Sequence, residues 1–216
     1  MKRVFGRIEA IFDIAYLFSA LILALVLLSG SLGNSARVLS GVMALILAAG
    51  DAFHLMPRII VIMTGKEERM RRMLGRGKQV TSITMTIFYM LLWQIGVIVF
   101  LPKDMIAWSY AVYILAAVRV FLCLLTHNKW QERYPPLNWA IWRNIPFVLQ
   151  GVIVAVLYFS YRNAAQGLGL MWIAIVLSFM FYIPVILWSN KNPRIGMLML
   201  PKTCCYIWIL AMCLSL

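Results

Sequence analysis

The stretch IEAIFDIAYLFSALILALVLLSG, residues 8–30, decides the class of fold. A membrane crossing needs about 20 mostly apolar residues, and this run supplies them. It is longer than the apolar part of a cleavable signal, and no small-x-small cleavage pattern follows it. We therefore read it as a first span. Six further runs of the same kind lie at about 37–63, 79–101, 105–126, 138–161, 169–190 and 195–216. The expectation is an all-α membrane protein, a single seven-transmembrane-helix bundle over residues 1–216.

Composition agrees. Of 216 residues, 63% are hydrophobic and only 12% charged, and the mean hydropathy is +0.88. Soluble domains are about a quarter charged, so too little polar surface remains to cover a soluble globule. The breaks between runs are Gly30 to Asn34, a basic loop from Gly65 to Lys78, Pro102 to Asp104, His127 to Pro136, Asn163 to Gly167 and Ser189 to Arg194. No internal repeat stands out, which argues against transporter folds built from duplicated halves.

The net charge of +13 does not read as nucleic-acid binding. The basic residues sit in the short loops, where they set topology and meet anionic headgroups of the lipid bilayer. Thirteen lysines and arginines fall on one side and three, Arg37, Lys103 and Arg162, on the other. Basic loops stay cytoplasmic. This predicts a multi-pass protein of the cell membrane, N-terminus in the cytoplasm and C-terminus outside. Trp93, Trp108, Trp130, Trp139 and Trp188 fall towards span ends, as interfacial aromatics do. The four cysteines lie in apolar segments without a metal-ligand spacing and read as small buried hydrophobes.

Function must come from polar residues inside spans, where charge is expensive. Asp51, His54 and Arg58 are spaced i, i+3, i+7 on one face of the second span. Asp51 lies ~14 Å from the basic end at 1.5 Å per residue, too deep for a short side chain to reach the interface. The other spans add Asp13, Ser82 with its neighbouring threonines, Arg119, Arg143 and Asn144, Tyr182 and Lys202 at similar depth. Pro57, Pro146, Pro184 and Pro201 fall in the same layer, each expected to free a carbonyl in its helix.

Arg58, Arg119, Arg143 and Lys202 outnumber Asp13 and Asp51 by two. A buried cationic excess calls for an anion. The candidate ligand-binding residues are Asp51, His54, Arg58, Ser82, Arg119, Arg143, Asn144, Tyr182 and Lys202. The competing reading is structural: Asp51 pairs with Arg119 or Arg143, the long cations snorkel to the interface, and Ser82 bonds its own helix.

The strings Gly50 to Arg58, Ser82 to Tyr89, Trp142 to Phe147 and Pro201 to Cys204 resemble a family of bacterial seven-helix membrane proteins. That resemblance covers the whole chain, implies the architecture and brings no chemistry with it. Lys202 with Tyr182 and Pro184 also echoes the retinal-binding lysine of microbial rhodopsins. However, position 198 is Leu where those proteins carry Asp, and the third span has no carboxylate. Seven-helix zinc hydrolases of the alkaline ceramidase kind use three histidines. Here there are two, and His127 lies beside a loop, so no zinc set is complete.

The sequence thus predicts a cytoplasm-facing cationic cavity that binds an anionic small molecule or lipid headgroup, in a carrier or sensor. The alternatives are a lipid-modifying enzyme, with Asp51 or His54 as general base, and a structural or interaction subunit locked by internal salt bridges.

Overall fold

The structure, a computed structural model, describes residues 2–30, 33–132, 134–189 and 191–216, without the side chains of 2–5 and 193. Ser31 and Leu32 of the first turn, Arg133 of the polar loop and Asn190 at the end of the sixth span lie outside the described residues.

Seven helices are long and apolar enough to cross a membrane. They are α1 (Lys2–Ser29), α2 (Ser35–Thr64), α3 (Glu67–Phe100), α4 (Ile106–Leu124), α5 (Leu137–Ser160), α6 (Met171–Trp188) and α7 (Met199–Met212). Short 3-10 turns, Pro193–Leu198 and Cys213–Ser215, flank α7 and complete the seventh span. Each helix packs on the next, α7 returns to α1, and α3 also touches α5. The result is a closed ring with alternating chain direction. We call the end where α1 begins the basic end.

The Gly65 to Lys78 segment is not a loop. Gly65 ends α2 in the left-handed region (φ 71°), its N–H donating to the Val61 carbonyl at 2.8 Å, and α3 begins at Glu67. Helix is favoured there for local reasons. Glu67 and Glu68 lie at the positive end of the helix dipole, and Glu68 pairs with Arg71 one turn on. The basic segment is thus the opening of a 34-residue helix.

Small residues let α2 and α3 approach closely. A Cβ added at Gly77 would strike the Phe53 carbonyl oxygen and come within 2.8 Å of the His54 Cα. Phe53 lies four residues before Pro57, so its carbonyl has lost its helical donor, and Gly77 fills the space beside it. One level deeper, Gly50 faces Thr84, and the Thr81 hydroxyl donates to the Gly50 carbonyl at 2.9 Å.

Pro57, Pro146 and Pro184 lie inside helices as expected. Pro201 does not. It is the third residue of α7, in the first turn, where no intrahelical N–H bond is forfeited. The expectation of a fourth interior kink, with a freed Met197 carbonyl, is corrected accordingly.

Beyond the basic end the ring is filled by Phe88, Leu92, Trp93, Tyr158, Tyr206 and Ile209, all buried. Ile22, Leu25, Ile114, Phe121, Val152 and Val156 face outwards, as an apolar solvent requires. At the far end Asn34 caps α2, accepting from the Arg37 N–H at 3.1 Å, and donates to the Leu216 carbonyl at 2.7 Å. The turn after α1 is thereby tied to the end of the seventh span.

Candidate functional site

Side chains from six of the seven helices meet in a cavity of about 270 Å³ at the basic end. Eight of the nine candidate residues line it: His54, Arg58, Ser82, Arg119, Arg143, Asn144, Tyr182 and Lys202. The ninth, Asp51, lines a smaller neighbouring cavity of about 100 Å³ between α1, α2, α3 and α7. His54, Arg58 and Lys202 line both cavities and form part of the wall between them.

Arg119 is the most constrained cation. It is 1% exposed, and its guanidinium lies 3.2 Å from the centroid of the Phe147 ring. Its Nε and Nη1 have no hydrogen-bond partner among the described residues. A cation over a ring face is attracted by the quadrupole, but the ring offers no acceptor in the plane of the N–H groups. Buried polar groups are ordinarily satisfied, so these two donors stand out.

The other cations are better supported. Arg143 donates from Nη1 to Asn128 Oδ1 at 2.9 Å and lies 4.2 Å from the Trp130 ring centroid. Lys202, 5% exposed, sits with its Nζ 4.1 Å from the Tyr182 ring centroid and 5.2 Å from that of Tyr206. The Tyr182 hydroxyl donates to Asn144 Oδ1 at 3.0 Å, and Asn144 Nδ2 donates to the Ala140 carbonyl at 2.7 Å. Asn144 therefore fixes the Tyr182 ring, which in turn supports the Lys202 ammonium. Ser82 donates to the Lys78 carbonyl at 2.8 Å, so its hydroxyl is spent on its own helix and keeps only acceptor capacity.

The structural pairing of Asp51 with Arg119 or Arg143 is not found. Asp51 instead accepts from the Tyr16 hydroxyl at 2.6 Å. Arg58 does not reach down its helix to Asp51 either. It pairs with Glu9 across the α1–α2 contact. Glu9 is one helical turn before Asp13, so the two carboxylates share a face towards α2. The charge balance must be redrawn: Glu9 neutralises Arg58, while Lys78 joins the larger cavity. Lys78, Arg119 and Arg143 line that cavity alone, and Glu9, Asp13 and Asp51 line the smaller one alone. The layer is therefore split into a cationic and an acidic chamber.

Sequence reasoning missed Glu9, Tyr16, Lys78, Asn128 and Trp130. Glu9 and Asp13 at i, i+4 were a readable signal. Lys78 was hidden by its assignment to a loop. Asn128 and Trp130 lie in the α4–α5 connection, and nothing local marks them as reaching back to Arg143.

Among the described residues no three His, Cys, Asp or Glu side chains gather as metal ligands would. His127 stacks on Trp139 at 5.0 Å, away from both cavities. No protein-family model matches the chain, and neither a curated protein nor a solved structure matches it.

Proposed function

We propose that this is a multi-pass protein of the cell membrane, its basic end in the cytoplasm, whose larger cavity binds an anionic small molecule or lipid headgroup as a carrier or sensor. The observation that carries the reading is Arg119. A guanidinium this buried, with two N–H donors unpaired beside a cavity, is costly. The cost falls when an oxyanion supplies the acceptors, and a guanidinium binds phosphate or carboxylate through two parallel bonds. Arg143 and Lys78 add positive charge on the same walls. The test is native mass spectrometry of the gently purified protein, followed by titration with inorganic phosphate. An anionic adduct at one per chain in the wild type, absent from Arg119→Met, is the result expected. A wild type that carries no anion and is not stabilised by phosphate refutes the reading.

One observation favours a second reading, an enzyme acting on an acidic lipid. His54 lines both chambers, and its Nδ1 is buried without a hydrogen-bond partner among the described residues. A histidine on the wall between the two chambers stands where a general base would be needed. Lipid turnover in detergent that vanishes in His54→Ala would replace carrier or sensor with enzyme.

A further inference from the structure

The two chambers have complementary deficits. In the smaller one the Glu9 carboxylate is matched by Arg58, and Asp51 Oδ2 by the Tyr16 hydroxyl. Asp13 is 5% exposed, and its Oδ2 has no hydrogen-bond partner among the described residues. An acceptor is left without a donor there. Across the shared wall Arg119 has donors without an acceptor. Lys202 lines both chambers, with Arg119 on the wall of one and Asp51 on the wall of the other, so the two sides lie within reach of one side chain.

We infer that the two chambers are one composite site for a zwitterion, an aminoalkyl phosphate whose primary ammonium sits at Asp13 and Asp51 and whose phosphate sits at Arg119 and Arg143. The inference rests on the anion-binding reading above and adds the second pole of the ligand. A primary ammonium is specified because it brings three N–H donors in a small volume. A quaternary ammonium would bring none to Asp13, and the acidic chamber, about 100 Å³, is the smaller of the two. Phosphate is specified because Lys78, Arg119 and Arg143 together exceed what a single carboxylate charge offsets. The same chemistry occurs in a free metabolite and in an aminophospholipid headgroup.

The test is calorimetric titration of the purified full-length protein with phosphoethanolamine, ethyl phosphate and phosphocholine. Phosphoethanolamine should bind tighter than either by about tenfold or more, the scale of one close buried charge pair. Asp13→Asn should lower its affinity to that of ethyl phosphate. Native mass spectrometry from nanodiscs of equal phosphatidylethanolamine and phosphatidylglycerol separates the sources. Selective retention of phosphatidylethanolamine, lost in Asp13→Asn, assigns the headgroup, and binding of the free compound without lipid retention assigns the metabolite. Equal affinity for phosphoethanolamine and ethyl phosphate, with no selective lipid, overturns the zwitterion and leaves anion binding standing. Binding of no phosphate compound and no lipid overturns both.

Discussion

The Tyr16 hydroxyl donates to Asp51 Oδ2 at 2.6 Å, joining α1 to α2 beside the acidic chamber that Asp51 lines. Both residues are buried, so the bond is made away from bulk solvent, where a lost donor is costly. A hydrogen bond to a charged group is worth about 1.5–3 kcal/mol. Tyr16→Phe should lower stability by that order, read as thermal unfolding in detergent. Asp51→Asn should cost less than Asp51→Leu, because the amide oxygen still accepts from Tyr16. Equal losses in the two Asp51 variants would show that the contact contributes little.

Gly77 and Gly65 are both glycines of the α2–α3 region, and the structure gives them opposite reasons. At Gly77 a Cβ meets the Phe53 carbonyl, part of a backbone that cannot yield. Gly77→Ala forces α2 and α3 apart, a form of overpacking that costs about 1–3 kcal/mol. At Gly65 nothing lies within 4 Å, but φ is 71°. Gly65→Ala then carries only backbone strain, about 1–2 kcal/mol. Helix separation should also enlarge the cavity behind His54. Gly77→Ala should therefore alter phosphate affinity, whereas Gly65→Ala should change unfolding temperature alone. A Gly77→Ala protein as stable as the wild type would show that the two helices are free to move apart.

Much of this fold is legible because the membrane imposes one rule, that backbone polar groups be satisfied within each segment. Seven apolar runs of the right length therefore give seven helices. The rule says nothing about polar helix, which is why Glu67 to Lys78 reads as loop. The acidic first turn, Glu67 and Glu68, and the Glu68–Arg71 pairing are its local signals, and Gly75 and Gly77 speak against it until their close contacts with Trp130 and Phe53 are seen. The depth of the polar layer is legible for the same reason as the spans, since rise per residue converts position into depth. Pairing within the layer is not legible. Asp51 has four cations, Arg58, Arg119, Arg143 and Lys202, and the tyrosine Tyr182 at comparable depth, and only the ring order of helices decides that α1 supplies its partner. The layer also runs deeper than its charges suggest. Gln150 donates to the Thr86 carbonyl at 3.3 Å, and Tyr89 hydrogen-bonds Ser178 at 2.9 Å, contacts between residues that carry no charge to attract attention.

Arg119 allows stability and binding to be separated. Replacing a buried charge that has no charged partner by an apolar side chain of similar length removes its desolvation cost. Arg119→Met keeps contact with the Phe147 ring. Without ligand it should unfold at a temperature equal to or above that of the wild type, while phosphate no longer raises that temperature. If Arg119 instead holds the bundle together, Arg119→Met will unfold at a lower temperature and phosphate will not restore it. Those two patterns cannot be confused, because the sign of the change without ligand differs.

Which way the cavity faces decides which ligands can reach it. The α3–α4 connection, with Lys103 and Asp104, lies at the end opposite Lys129. With Cys123, Cys204, Cys205 and Cys213 replaced by alanine, Lys103→Cys and Lys129→Cys each offer a single thiol in a connection. A membrane-impermeant maleimide should label Lys103→Cys in intact cells and Lys129→Cys only after the membrane is opened. The basis is the excess of basic residues at the end that bears the cavity, reinforced by attraction of that end to anionic headgroups. The reverse labelling would place the cavity outside the cell. Its ligand would then come from the surroundings or the outer leaflet, and sensing of a cytoplasmic metabolite would no longer be an option.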